Sequence, residues 1–120
     1  MANQNHLERR TKQLALRIIK LVETLPDTTA GNVMGKQILR SATSVGANYR
    51  SAVRAKSTAD MIHKLKIVEE EADETLYWLE LIVEAELIPE ARLVDLMSET
   101  NEIVAMTVAS LKTLRAKTRQ

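Results

Sequence analysis

The sequence lacks cysteine and phenylalanine and contains few other aromatic residues. Without cysteine, disulfides and thiolate metal sites are excluded, and an intracellular compartment is favoured. The aromatic side chains are Tyr49, Tyr77 and Trp78, so aliphatic residues must fill the core. This composition favours closely packed helices over a β-sandwich, because strands draw on β-branched and aromatic residues.

The sequence also lacks a long apolar run. No stretch approaches the ~20 apolar residues of a membrane span, and residues 1–6 do not resemble the apolar segment of a signal peptide. The length of 120 residues is typical of one domain. We therefore predict a single domain over residues 1–120, in a cytoplasmic protein with no membrane partner.

Breaks in the helical periodicity are few. Pro26 ends a first segment, Ser57 with Asp60 has the pattern of a helix N-cap, and Pro89 begins a last segment. Between these breaks, apolar residues recur every three or four positions, as in amphipathic helices. The predicted helices span about residues 5–25, 30–56, 58–87 and 90–117. The predicted fold is all-α, an antiparallel up-down-up-down four-helix bundle.

The fourth helix has an apolar stripe that predicts its buried face. The stripe consists of Leu93, Met97, Thr100, Val104, Val108, Leu111 and Leu114.

Charge is unevenly distributed along the chain, although the net charge is only +1. Residues 1–68 are strongly basic, residues 69–102 are strongly acidic, and residues 103–120 carry basic charge alone. Such blocks favour pairing between helices or subunits, and the alternative is a basic face for nucleic acid. In the pairing interpretation, Arg40, Arg50 and Arg54 contact carboxylates of the third helix.

The third helix has a second apolar face, which consists of Ile67, Trp78, Leu81 and Ala85. A helix with two apolar faces is buried on both sides, and a four-helix monomer covers only one of them. We therefore predict a homo-oligomer interface on this face, with Trp78 as its anchor. The alternative is that Trp78 lies at the boundary of the core.

Polar residues line the second helix beside its apolar stripe. We predict a structural network between this helix and carboxylates of the third. Its members are Gln37, Arg40, Ser44, Asn48, Glu69 and Asp73. The alternative assigns the arginines of this segment to phosphate, which arginine binds with paired donors.

A nucleic-acid footprint is predicted from the remaining basic residues. It consists of Arg50, Arg54, Lys56, Lys64, Lys66, Lys112, Arg115, Lys117 and Arg119. We expect the end of the fourth helix to lie opposite the turn between helices two and three. The footprint would then form two separate patches on one protomer.

Catalytic and metal-binding patterns are not evident. The histidines are His6 and His63, and no Glu-x-x-His motif of bundle di-iron sites occurs. No Ser-His-Asp arrangement or glycine-rich phosphate loop is recognisable. The sequence predicts no enzyme activity, no cofactor and no metal.

One set of motifs resembles a known family. Gln37-x-x-Arg40-x-x-x-Ser44-Val45-x-Ala47-Asn48, with residues 69–74 and 77–81, is similar to the four-helix-bundle proteins named after intervening sequences of 23S ribosomal RNA. The likeness runs from about Leu14 to the C-terminus. Many members have Asn-Ile-x-Glu-Gly at residues 48–52, where this chain has a more basic segment.

The resemblance implies a ring-like homo-oligomer, commonly a pentamer. The fold is similar to that of the accessory protein of diversity-generating retroelements, which binds nucleic acid and a reverse transcriptase. We therefore predict a non-enzymatic accessory factor that binds RNA or DNA through basic residues. The alternative is a protein–protein scaffold with no direct nucleic-acid binding, whose partner is encoded nearby.

Overall fold

The computed structural model describes residues 2–118, with side chains from residue 6 onward. These residues form four long helices and no strand. The helices are α1 (Ala2–Val22), α2 (Thr29–Val53), α3 (Thr58–Glu84) and α4 (Val94–Thr118), with a single 3₁₀ turn at Glu90–Arg92. Within this range, no helix is both long and apolar enough to cross a membrane.

The helices pack side by side into a bundle about 52 Å long and 22 Å wide. Contacts are most extensive between α2 and α3, followed by α3 with α4 and α1 with α2, and α1 meets α4 along a smaller seam. Consecutive helices are therefore neighbours and the fourth returns to the first. The prediction of an all-α four-helix bundle is confirmed.

Helix ends follow local chemistry. The Ser57 hydroxyl accepts a hydrogen bond from the Asp60 amide at 3.1 Å, and Thr28 caps α2 through the Gly31 amide at 3.0 Å. The first three helices end three residues earlier than predicted, because i→i+3 turns replace helical hydrogen bonds there. Beyond Pro89, the chain forms the 3₁₀ turn first, so α4 begins at Val94 instead of residue 90.

Buried residues follow a regular alternation of three and four positions. In α3, for example, the buried set is Leu65, Val68, Ala72, Thr75, Leu79 and Ile82. This spacing is the heptad pattern of supercoiled bundles. In α4, Leu96, Ile103 and Thr107 are buried, whereas the predicted Met97, Val104 and Val108 are half-buried. Thr107 tolerates burial because its hydroxyl donates to the Ile103 carbonyl at 2.7 Å.

The antiparallel order brings four chain segments to one end of the bundle. Leu7, Tyr49, Leu65 and Leu114 all line one cavity there. A Cβ atom built on Gly46 would lie 3.4 Å from the Thr11 carbonyl oxygen, so α1 and α2 approach closely near this end. We call this the α2–α3 end: it combines the start of α1, the end of α2, the start of α3 and the end of α4.

Candidate nucleic-acid interface

Basic charge gathers at the α2–α3 end. Residues 6–12, 46–66 and 107–118 contain only two acidic residues, Glu8 and Asp60. Their basic residues are Arg9, Arg10, Lys12, Arg50, Arg54, Lys56, Lys64, Lys66, Lys112, Arg115 and Lys117. Folding thus converts charge blocks along the sequence into a largely basic end and an acidic remainder, because most carboxylates of α3 and α4 lie further along the bundle. Glu99 and Glu102 of α4 do reach this end, where both pair with Arg10.

Four basic side chains surround a depression beside the α2–α3 turn. Arg50, Arg54, Lys56 and Lys64 line it, together with the Asp60 carboxylate, around a volume of about 500 Å³. Arg50 and Arg54 are four residues apart and so share one face of α2. A short turn then places Lys56 and the first turns of α3 beside them.

These four cations make no ion pair within residues 6–118. The expectation that Arg50 and Arg54 contact carboxylates of α3 was therefore wrong, and it holds only for Arg40. The dense acidic run of α3 begins at Glu69, nine residues after Asp60, which is about 14 Å along the helix axis. The acidic run therefore lies beyond the two arginines.

A second groove continues the depression onto α1. Arg9 and Lys12 line it opposite Gly46, and it shares Ala47 and Arg50 with the depression at the turn. Glu8 is the acidic residue in this groove. Arg9 and Lys12 were not predicted from the sequence, although an antiparallel pairing of the start of α1 with the end of α2 would have indicated them.

The two grooves together form a continuous surface that we call the cationic track. Its basic residues are Arg9, Lys12, Arg50, Arg54, Lys56 and Lys64. All six are exposed or half-exposed, and none has a carboxylate partner among the described side chains.

The remaining footprint residues that the structure describes lie at the same end. Lys117 lines a cavity with Met61 and Leu65 at the start of α3. The expectation of two separate patches was wrong, because the chain runs along α3 and back along α4 and so returns to the end where it started. Lys66 binds Glu69 at 3.2 Å and is partly neutralised.

Lys112 and Arg115 are exposed on the last turns of α4. Arg119 lies outside the described residues.

A polar network joins α2 to α3 farther along the bundle. Arg40 donates to Glu71 at 3.1 and 3.3 Å and also to Glu74. The Ser44 hydroxyl donates to Glu71 at 3.3 Å, and the Asn48 amide donates to the Ser44 hydroxyl at 2.9 Å. The network predicted from Arg40, Ser44 and Asn48 is thus present, but its carboxylates are Glu71 and Glu74.

Three predicted members of that network lie outside it. Glu69 binds Lys66, Asp73 is exposed without a hydrogen bond in the described part, and Gln37 makes none either. Helical geometry explains Glu69 and Asp73. Each is two residues from Glu71, so its side chain is rotated about 200° from Glu71 around the axis of α3.

The acidic residues of α3 do not converge on a metal site. Across residues 6–118, no group of three or more histidine, aspartate and glutamate side chains is placed to hold a metal ion.

Comparison with known proteins assigns the chain to a family. The family of 23S rRNA-intervening sequence proteins matches residues 4–109, which include α1 to α3 and most of α4. The chain belongs to this family. No curated protein matches it.

The crystal structure of one similar protein has the same fold. It is a protein of unknown function from the S23 ribosomal protein family of Bacteroides thetaiotaomicron VPI-5482, with 39% sequence identity and a TM-score of 0.85. The match covers 91% of this chain and 97% of that chain. The four-helix fold of this 23S rRNA-intervening sequence protein is therefore shared over nearly its whole length.

The second apolar face of α3 is partly covered in this 23S rRNA-intervening sequence protein. Ile67, Trp78 and Leu81 are half-buried, and Ala85 is exposed at the helix end. Trp78 packs against the core and donates its indole N–H to Glu74 at 3.1 Å. The single chain thus places Trp78 at the core boundary, and its interface role stays a prediction.

Tyr77 is the exposed aromatic residue beside this face. Its side chain is 54% exposed, and its ring meets that of Trp78 edge-on, with centroids 5.1 Å apart.

Proposed function

We propose that this protein is a non-enzymatic accessory factor that binds RNA or DNA through the cationic track. The observation that carries the proposal is the gathering of six unpaired cations, from α1, α2, α3 and the α2–α3 turn, on one continuous depression. The six cations outnumber the two carboxylates of the track, Glu8 and Asp60, so they repel one another and destabilise the fold slightly. A phosphate chain relieves that repulsion and releases its own counterions.

The near-zero net charge does not contradict this proposal. At physiological salt, the Debye length is about 8 Å, whereas the bundle is 52 Å long. A phosphate at the track therefore responds to the local cations and little to the distant carboxylates of α3.

A fluorescence-anisotropy titration at several salt concentrations tests the proposal. We expect the logarithm of affinity to fall linearly with the logarithm of salt concentration. The triple variant Arg50→Gln, Arg54→Gln and Lys56→Gln should lower affinity at least about tenfold and flatten the salt slope by about 2. These residues are exposed, so the fold should be retained.

The matched control neutralises three exposed, unpaired cations toward the opposite end. These are Arg17, Lys20 and Lys36, each changed to Gln. If both triple variants lose affinity equally, binding is a property of net charge and the track has no special role. If the wild type binds neither single strands nor duplexes in a salt-dependent way, the scaffold alternative replaces this proposal.

We also propose that the protein self-associates through the outer face of α3. The supporting observation is the Tyr77–Trp78 ring pair, since Tyr77 is 54% exposed and aromatic residues are favoured at interfaces. The resemblance implies a ring of five. Such a ring would repeat the cationic track and raise affinity for long nucleic acid by multivalency.

Light scattering on Tyr77→Glu and Leu81→Glu tests self-association. We expect both to release 13.5 kDa chains from a larger wild-type assembly, because a charge is buried at the contact. Val33→Glu, at a 52% exposed position on α2, is the control and should assemble normally. A wild-type protein that is already monomeric at micromolar concentration would refute the proposal.

A further inference from the structure

We infer that the cationic track binds the sugar–phosphate backbone of a nucleic-acid duplex and does not read bases. This inference rests on the proposed function and names the class of nucleic acid that the track recognises. It follows from three features of the α2–α3 end, which are its lack of exposed tyrosine or tryptophan, its recessed shape and its charge.

The first feature is the absence of a stacking surface. Proteins that bind single strands place exposed aromatic rings along a basic groove. Among the described residues, the aromatic side chain at this end is Tyr49, which is only 4% exposed. The exposed Tyr77 lies 13 residues beyond Lys64 on α3, about 20 Å along the axis. No tyrosine, tryptophan or histidine lines the two grooves, and the exposed ring nearest in sequence is the imidazole of His63, beside Lys64. Unstacked bases therefore find no row of rings along the track.

The second feature is the recessed shape of the track. Base edges lie at the floors of duplex grooves, and proteins read them with a protruding helix or ribbon. Here the cations line a depression between α1 and α2 that continues around the α2–α3 turn. A depression receives a ridge, and the ridges of a duplex are its phosphate backbones.

The third feature is the charge of the track, which sets the expected preference. Its six cations are opposed by two carboxylates, Glu8 and Asp60, so about four phosphates can be neutralised. Counterion release contributes a salt exponent of about 0.9 per phosphate for a duplex and about 0.7 for a single strand. For four phosphates, and with equal affinities at 1 M salt, this difference favours the duplex by about sixfold at 0.1 M salt.

The test compares labelled RNA duplexes, DNA duplexes and single strands of one length at 0.1 M salt. We expect either duplex to bind about sixfold more tightly than its strands, with less than about twofold variation between unrelated sequences. Heparin, a polyanion without bases, should compete.

Two pairs of variants locate the binding. Arg9→Gln with Lys12→Gln should flatten the salt slope by about 1.2, whereas the same changes at Arg17 and Lys20 on the same helix should not. Asp60→Asn should raise duplex affinity several-fold, because it removes a carboxylate from the track. Asp95→Asn, near the opposite end, should leave affinity unchanged.

The outcomes separate this inference from the proposed function. Salt-dependent binding with tighter single strands, with strong sequence preference or without an effect of Arg9 and Lys12 overturns the inference alone. Absence of salt-dependent binding to every probe overturns both.

Discussion

Arg10 in α1 holds Glu99 in α4 through two parallel hydrogen bonds, from Nε to Oε2 at 2.8 Å and from Nη2 to Oε1 at 2.6 Å. This paired geometry is the strongest form of a surface ion pair. Arg10 also reaches Glu102 at 3.0 Å. The contact lies on the α1–α4 seam, the smallest helix interface of the bundle, so it closes the ring of four helices.

We predict that Arg10→Met lowers the free energy of unfolding by about 1 kcal/mol, because both partners are largely shielded from water. Chemical denaturation measures the change. A double-mutant cycle with Glu99→Gln should give a coupling energy of similar size. Arg17→Met, on the same helix, is the control and should have little effect.

A dependence on pH follows from the same pair. Hydrogen bonds from Arg10 hold the pKa of Glu99 below its ordinary value, against the opposing effect of burial. A lowered pKa means that the stabilisation is complete above the unfolded-state pKa of about 4.3 and is lost as the pH falls below it. Between pH 6 and pH 3, the wild type should therefore lose more stability than Glu99→Gln, as measured by thermal unfolding. An equal loss in the two proteins would contradict this, and Glu80→Gln should behave like the wild type.

The turn after α3 predicts a stabilising substitution. Glu86 has φ of 60°, and Leu87 N–H donates to the Ile82 carbonyl at 3.0 Å, which is the hydrogen bond of a Schellman C-cap. A non-glycine residue is strained in this conformation by roughly 1 kcal/mol. Glu86→Gly should therefore raise the melting temperature. Glu84→Gly, two residues earlier inside the helix, should lower it.

The start of α2 predicts a destabilising substitution. A Cβ atom on Gly31 would lie 2.1 Å from the Pro26 carbonyl oxygen, which is backbone and cannot rotate away. Gly31→Ala should thus cost about 1–3 kcal/mol, despite the better helix propensity of alanine. Gly46→Ala is the comparison, because its nearest contact of 3.4 Å is ordinary. Calorimetry should show a clear loss for the first variant only.

Much of the fold could be predicted from the sequence because helix formation here depends on local patterns. The apolar spacing indicated four helices, and Ser57 was correctly identified as the N-cap of α3. The buried face of α4 was harder to predict, because Thr107 is a polar residue and was not expected in the core. Its hydroxyl bonds within its own helix, so threonine can occupy a core position.

The candidate site could be predicted only in part. Arg50, Arg54, Lys56 and Lys64 were assigned from sequence, and the structure brings them to one depression. The partners of Arg40 were predicted incorrectly, because they depend on which carboxylates of α3 face α2. A shift of two residues along α3 moves a side chain to the other side of the helix.

The sequence by itself determined the four helices, their breaks and the segregation of charge along the chain, because these depend on residues close to one another. Only the tertiary structure placed Arg9 and Lys12 beside Arg50 and brought Lys117 to the start of α3. The physical reason is that each antiparallel turn reverses the chain, so segments far apart in sequence share one end. The basic end of this protein is therefore a product of topology acting on local charge.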